Sequence, residues 1–313
     1  MPKALATILY PLLFIFSFLF FIYWMLPMSA IKSRIIGGVE SQLGPGFEIK
    51  IGEVKTSWLT GVKITDFAIF NMESGKASPW LQAQSLKVHV GLFSLLFGSP
   101  KISFDAKMDK ARVEGVLHKS DQGFSFEGSF NHFDLNQIPA LRALSGLHLT
   151  SEMEGKISVD YDAKQPLRTV GNIDVTIDRL MLKASELSLG EMGSFPLPDL
   201  DVSGAGSLVK ASISKGAMQM DALRLKGGDL TLELTGKIFL APVVSHYRMN
   251  LQGNFQFSQK LWGLLDPILP GQWLEELKKQ KGANDNFPLS ISGQFASPQI
   301  YSGTVAIYPF KPF

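Results

Sequence analysis

Residues 199–240 read DLDVSGAGSLVKASISKGAMQMDALRLKGGDLTLELTGKIFL, and the period of their apolar residues decides the fold. Leu230, Leu232 and Leu234 alternate with Thr231, Glu233 and Thr235. A period of two sends alternate side chains to opposite faces of a strand, whereas a helix needs apolar positions three and four apart. Glycines at 204, 206, 216, 227 and 228 punctuate the stretch where a turn is needed. It therefore reads as consecutive antiparallel strands with one apolar face. Met218, Met220, Leu223 and Leu225 lie on a face of this kind, either as plain core or as an adaptable lining for lipid.

The same pattern continues in both directions. Upstream, FEIKIGEV (47–54) sets Phe47, Ile49 and Ile51 against Glu48 and Lys50. VKITDFAIFN (62–71) follows as its hairpin partner, with a change of phase near Asp66 of the kind a β-bulge produces. LQAQSLKVHV (81–90) places Leu86, Val88 and Val90 on one side, and KISFDAKMDKARVEGVLHK (101–119) and FSFEGSFNHF (124–133) resume the alternation. Downstream come HYRMNLQGNFQFS (246–258), FPLSISGQFASPQI (287–300) and TVAIY (304–308). Three apolar interruptions read as short helices. They are GLFSLLFGSP (91–100), DLNQIPALRALSG (134–146) with Asp134 as cap, and QKLWGLLDPILPGQWLEELKKQK (259–281), split by Pro267 and Pro270.

The N-terminus differs in kind. ALATILYPLLFIFSFLFFIYWMLPMSAI (4–31) carries no charge, and Leu5 to Leu26 is long enough to cross a hydrocarbon core that needs about 20 apolar residues. Leu5, Leu12, Phe16, Phe20 and Leu26 belong to this anchor, with Tyr10 and Trp24 near the headgroup levels. A cleaved signal would have an apolar region of only about 7–15 residues ending in a small-x-small site, and the chain offers neither. Residues 1–31 thus read as a cytoplasmic tip and single-span anchor. Residues 32–46, with Ile31, Ile35, Val39 and Leu43 four apart, read as an amphipathic helix closed by Gly44-Pro45-Gly46. That helix either lies on the membrane or caps the sheet. Residues 47–313 form the β-rich domain.

Composition narrows the function. With 30 basic and 28 acidic residues the net charge is +2, so there is no electrostatic footprint for nucleic acid. There is no cysteine, which removes disulfides, thiolate nucleophiles and Cys-ligated metals. His89, His118, His132, His148 and His246 lack metal-ligand spacing, and no G-x-S-x-G elbow or phosphate-binding loop occurs. Asp160 with Asp162, and Asp199 with Asp201, alternate with other residues as solvated strand positions do. No enzymatic site, metal or cofactor is expected.

About fifteen strands and few helices leave an apolar face that has to be buried. Either the sheet closes on itself as a sandwich or barrel, or it stays open as a groove for lipid. The groove residues would be Phe47, Ile49, Ile51, Val88, Leu230, Leu232 and Leu234.

IKIGEVKTSWLTGVKITDFAIFN (49–71), VHVGLFSLLFG (88–98) and KISFDAKMDKARVEGV (101–116) resemble the opening of AsmA-like envelope proteins. FPLPDLDVSGAGSLV (195–209), ALRLKGGDLTLELTGKIFL (222–240), YRMNLQGNFQFS (247–258) and FPLSISGQFASPQ (287–299) resemble the type II secretion system protein N family in its long, AsmA-related form. The resemblance implies a mainly β protein of the bacterial inner membrane, with a single span and an elongated antiparallel, AsmA-like curved sheet or sandwich in the periplasm. It also implies other type II secretion subunits as partners, with phospholipid as the alternative ligand.

Overall fold

The computed structural model describes residues 17, 28–43, 46–57, 60–72, 77–91, 94, 99–120, 123–139, 148–162, 164–188, 194–241, 246–267, 271–282 and 285–308. The anchor proposed at 4–31 lies outside these apart from Ser17 and its last four residues. Among the described residues no helix is long and apolar enough to cross a membrane.

The first strands are β1 (Phe47–Lys50), β2 (Val54–Ser57), β3 (Gly61–Asn71), β4 (Ser78–Val90), β5 (Lys101–Met108), β6 (Ala111–Ser120), β7 (Gly123–Phe133), β8 (His148–Asp162) and β9 (Val170–Lys183). A separate hairpin, β10 (Ser185–Ser188) with β11 (Ser194–Leu197), interrupts the order. The remainder are β12 (Leu200–Ser203), β13 (Ser207–Ser214), β14 (Ala217–Lys226), β15 (Leu230–Phe239), β16 (Arg248–Phe257), β17 (Phe287–Gln294), β18 (Ser297–Ser302) and β19 (Val305–Tyr308). Among the described residues there are three α-helices, α1 (Met28–Leu43) before the first strand, and α2 (Gln259–Leu265) and α3 (Gly271–Lys279) between β16 and β17.

Seventeen strands make one sheet, and their ladders are antiparallel. From β3 to β9 and from β13 to β19 each strand pairs with the next in sequence, and β9 bridges the halves by pairing with both β12 and β13. Short turns make this possible. Ser214 pairs with Ala217 across Lys215 and Gly216, whose φ values of 52° and 73° are the positive pair a type I′ hairpin requires. β1 and β2 share one place beside β3, and β12 and β13 share one beside β9. At about 4.8 Å per strand the sheet therefore spans roughly 65–70 Å.

The phase change expected near Asp66 is present but has a different cause. Thr65 pairs with Ser85 and Phe67 with Ala83, so the ladder stays in step across it. Asp66 itself takes φ 52°, and Ile64, Phe67 and Ile69 are all buried around it. A left-handed residue, rather than an inserted one, moves the apolar set. The Asp134 cap is present, with its side chain accepting from Asn136 N–H, but the element it starts is a 3-10 turn, Leu135–Gln137. The rest of the helix expected there, and most of 91–100, fall outside the described residues.

Deep burial is uneven: it lies beneath the helices and in a further cluster of Ala211, Met220 and Leu251 on β13, β14 and β16. Helix α1 lays Ile35, Ile36 and Val39 against Ile49, Ile51, Ile64 and Ile69. It also guards the first edge: Ile49 N–H donates to Glu40 Oε1, and Lys32 Nζ donates to the Gly52 carbonyl. Such contacts remove backbone groups that would otherwise pair with another chain. In mid-sheet α2 buries Leu261 on Leu182 of β9 and Leu200 of β12, and nearer the far edge α3 buries Leu277 on Phe255 of β16 and Phe287 of β17.

Candidate lipid-binding face

The strand registers align the alternation into rows running across the whole sheet. One row reads Val88, Phe104, Gly115, Gly128, Ile157 and Ile173, and continues through Ala211, Met220, Gly236, Leu251, Ile291 and Ile300. Another reads Val90, Ile102, Leu117, Phe126, Val159 and Gly171. No polar side chain interrupts either row. Because side chains alternate, the intervening positions form the opposite face, with Lys87, Asp105, Glu114, Ser129, Lys156, Asp174 and Lys210 side by side.

Over β4–β8 the apolar face has a particular relief. A Cβ on Gly115 would meet the ring of Phe104, one on Gly128 the ring of Phe126, and one on Gly155 the ring of Phe130. Each ring thus lies over a glycine of the adjoining strand or of its own. Phe104 and Phe126 stack with centroids 6.4 Å apart and planes 12° apart. Flat rings over missing side chains give a smooth apolar floor. Phe104, Leu117, Phe126, Ile157 and Val159 are only half-buried, in contrast to Ile64 at 2% and Leu277 at 1% exposure beneath the helices.

The seven expected groove residues share this face, but six of them pack into its buried parts. Ile49 and Ile51 are buried under α1, and Phe47 meets Trp80 edge-on with centroids 5.6 Å apart. Leu230 and Leu232 pack with Phe255, Phe287 and Trp262 beneath α2 and α3, and Leu234 is buried. Val88 alone lies on the half-buried floor, opposite Phe104. Met220 is core, at 8% exposure. By period the floor residues Phe104, Phe126 and Ile157 look like any other strand positions, because alternation marks a face without showing which part a helix covers. The glycine-phenylalanine spacing of FSFEGSF was the available signal.

The polar face carries the charge. A concavity of about 760 Å³ opens there, lined by Lys87, Asp105, Arg112, Glu114, Lys156 and Asp174 among others. Arg112 bridges Asp105 at 3.0 Å and Glu114 at 2.6 Å, and Lys210 meets Asp174 at 3.4 Å. The Arg112 hydrogen bond holds the Asp105 carboxyl below its ordinary range, and Lys183 does the same for Asp199. Downward shifts are those of paired carboxylates, opposite to what a general acid needs. Asp162 accepts from the N–H groups of Lys164 and Gln165, so it shapes a turn. Among the described residues no three His, Asp or Glu side chains gather as a metal site.

One buried carboxylate has a structural setting. Asp229, 8% exposed, accepts from Asp201 N–H at 2.9 Å, Ser258 Oγ at 3.0 Å and Lys260 Nζ at 3.4 Å. Burial opposes its charge, and these donors more than offset that, leaving its carboxyl below the ordinary value. Ser258 also caps α2 by accepting from Leu261 N–H. The cluster fastens α2 to the sheet. Compared with protein-family models, curated proteins and solved structures, the chain matches none.

Proposed function

We propose that the chain is an inner-membrane-anchored periplasmic protein that binds lipid acyl chains on the apolar floor of its sheet. One observation carries this reading: over β4–β8 the apolar rows, smoothed by phenylalanine over glycine, stay half-buried, whereas the neighbouring parts of the face are buried under helices or in the cluster of Ala211, Met220 and Leu251. All the strands of the main ladder belong to one sheet. A one-sided apolar face of this extent calls for an apolar partner, and its row geometry fits extended hydrocarbon chains. The single span at 4–31 supplies the membrane attachment.

The test is native mass spectrometry, with lipid extraction, on the full-length chain. Stoichiometric phospholipid is expected, and it should be lost in Phe126→Asp or Ile157→Asp while circular dichroism is unchanged. A lipid-free wild-type protein would refute the reading. A second reading, an accessory component of a type II secretion apparatus, is favoured by the sequence resemblance of residues 195–299. Crosslinking to secretion subunits in cells that express them would support it.

A further inference from the structure

We propose that one end of the ladder, formed by β6–β9 and the β13–β14 turn, is a docking surface for an anionic phospholipid bilayer. This does not depend on the reading of the apolar floor, because the residues differ.

Exposed apolar side chains are unremarkable when scattered singly, but here they adjoin. Phe124, 40% exposed, starts β7 on the apolar face and meets Tyr161 with ring centroids 5.2 Å apart. The turn after β8 carries Leu167, 72% exposed, which lies over Gly216 in the space a Cβ there would take. Val170, 49% exposed, opens β9 on the polar face. Apolar surface therefore wraps over the strand ends from one face to the other. Phe239 and Phe295 are exposed at the same end of the ladder but further along it, at the end of β15 and after β17, outside this docking surface.

The charge around this patch has one dominant sign. Lys119 pairs in register with Phe124, Lys164 and Arg168 flank Leu167, and Lys215 precedes Gly216. All four are exposed, and among the described residues none joins an ion pair, unlike Arg112, Lys183 and Lys210 elsewhere on the sheet. Among the described residues the acidic neighbours are Asp160 and Asp162, the latter occupied by turn N–H groups; the sequence adds Asp121 between β6 and β7, which lies outside the described residues. Apolar side chains ringed by unpaired cations fit the interface of an anionic bilayer, where the chains enter the headgroup region and the cations meet phosphate.

The absence of cysteine makes the test direct. The full-length chain carrying Leu167→Cys is labelled with an environment-sensitive fluorophore and presented to phosphatidylcholine vesicles, with or without phosphatidylglycerol, containing brominated lipid as quencher. Met72→Cys, at the opposite strand ends, is the control. Quenching at 167 but not at 72, dependent on phosphatidylglycerol, is expected. Lys164→Gln with Arg168→Gln should lower the docked-to-undocked ratio about thirtyfold, from roughly fivefold per cation near an anionic surface. No quenching at 167, equal quenching without anionic lipid or at position 72, or indifference to the double substitution would each overturn the proposal.

Discussion

Replacing Asp229 with alanine should release α2 from the sheet and uncover the part of the apolar face beneath it. The carboxylate satisfies two part-buried donors, Asp201 N–H and Ser258 Oγ, and one cation, Lys260, whose side chain is 56% exposed. Each orphaned donor costs about 1–3 kcal/mol, while the exposed half of an ion pair is worth about 1 kcal/mol or less. The loss should come to about 3 kcal/mol for Asp229→Ala and below about 1 kcal/mol for Lys260→Ala. Urea denaturation reads this as a lower midpoint with an unchanged slope, and amide exchange should localise the opening to residues 258–265. The acid limb gives a second readout. A carboxyl held below its ordinary value, about 3.9, contributes fully above that value and loses its contribution as the pH falls through the lower folded one. Asp229→Asn should remove that part of the acid sensitivity. A loss below about 1 kcal/mol, or equal effects of the two alanine substitutions, would refute the argument.

Two further substitutions test packing on the apolar face. Leu277→Ala, at a position 1% exposed between Phe255 and Phe287, should cost about 2–5 kcal/mol in the same denaturation assay, because a cavity opens under α3. Gly128→Val should displace the Phe126 ring, whose Cζ lies 2.7 Å from where a Cβ would be. Lipid copurification should fall several-fold, with a stability loss of about 1 kcal/mol, the scale of one off-rotamer side chain.

Strand identity was legible in the sequence because a half-buried strand has to alternate, and LTLELT could not sit otherwise. Counting turns gives about fifteen strands, fewer than the nineteen among the described residues, because four-residue strands such as β1, β2, β10 and β11 are too short to show a period of their own. What sequence could not reveal was which part of the apolar face is covered. Leu230 and Leu232 read the same as Phe104 and Phe126 by period, yet α2 and α3 fold back over the first pair and not the second. That difference is set by residues more than twenty positions away. The amphipathic reading of 32–46 left two places for the helix, and burial of Ile35, Ile36 and Val39 puts its apolar stripe on the sheet. The Asp66 phase change was visible as pattern, but the left-handed φ behind it was not.

Sheet twist limits how such a protein can meet a membrane. Adjacent strands rotate by roughly 20–25°, so the strand ends of a sheet this wide wind around its long axis and cannot all face one plane. Only a run of four or five neighbouring strands can do so, about the extent of the patch from Lys119 to Lys215. Helix α1 lies at the far edge, beside β1 and β2. A tether there alone would leave the sheet free to pivot about residues 28–46. A second contact at the ends of β6–β9, roughly 20–35 Å away across the strands, would fix its rotation. It would also fix the direction in which the floor of Phe104 and Phe126 opens. Orientation, rather than affinity, is then what the cations contribute, and charge removal should leave the protein attached but no longer aligned.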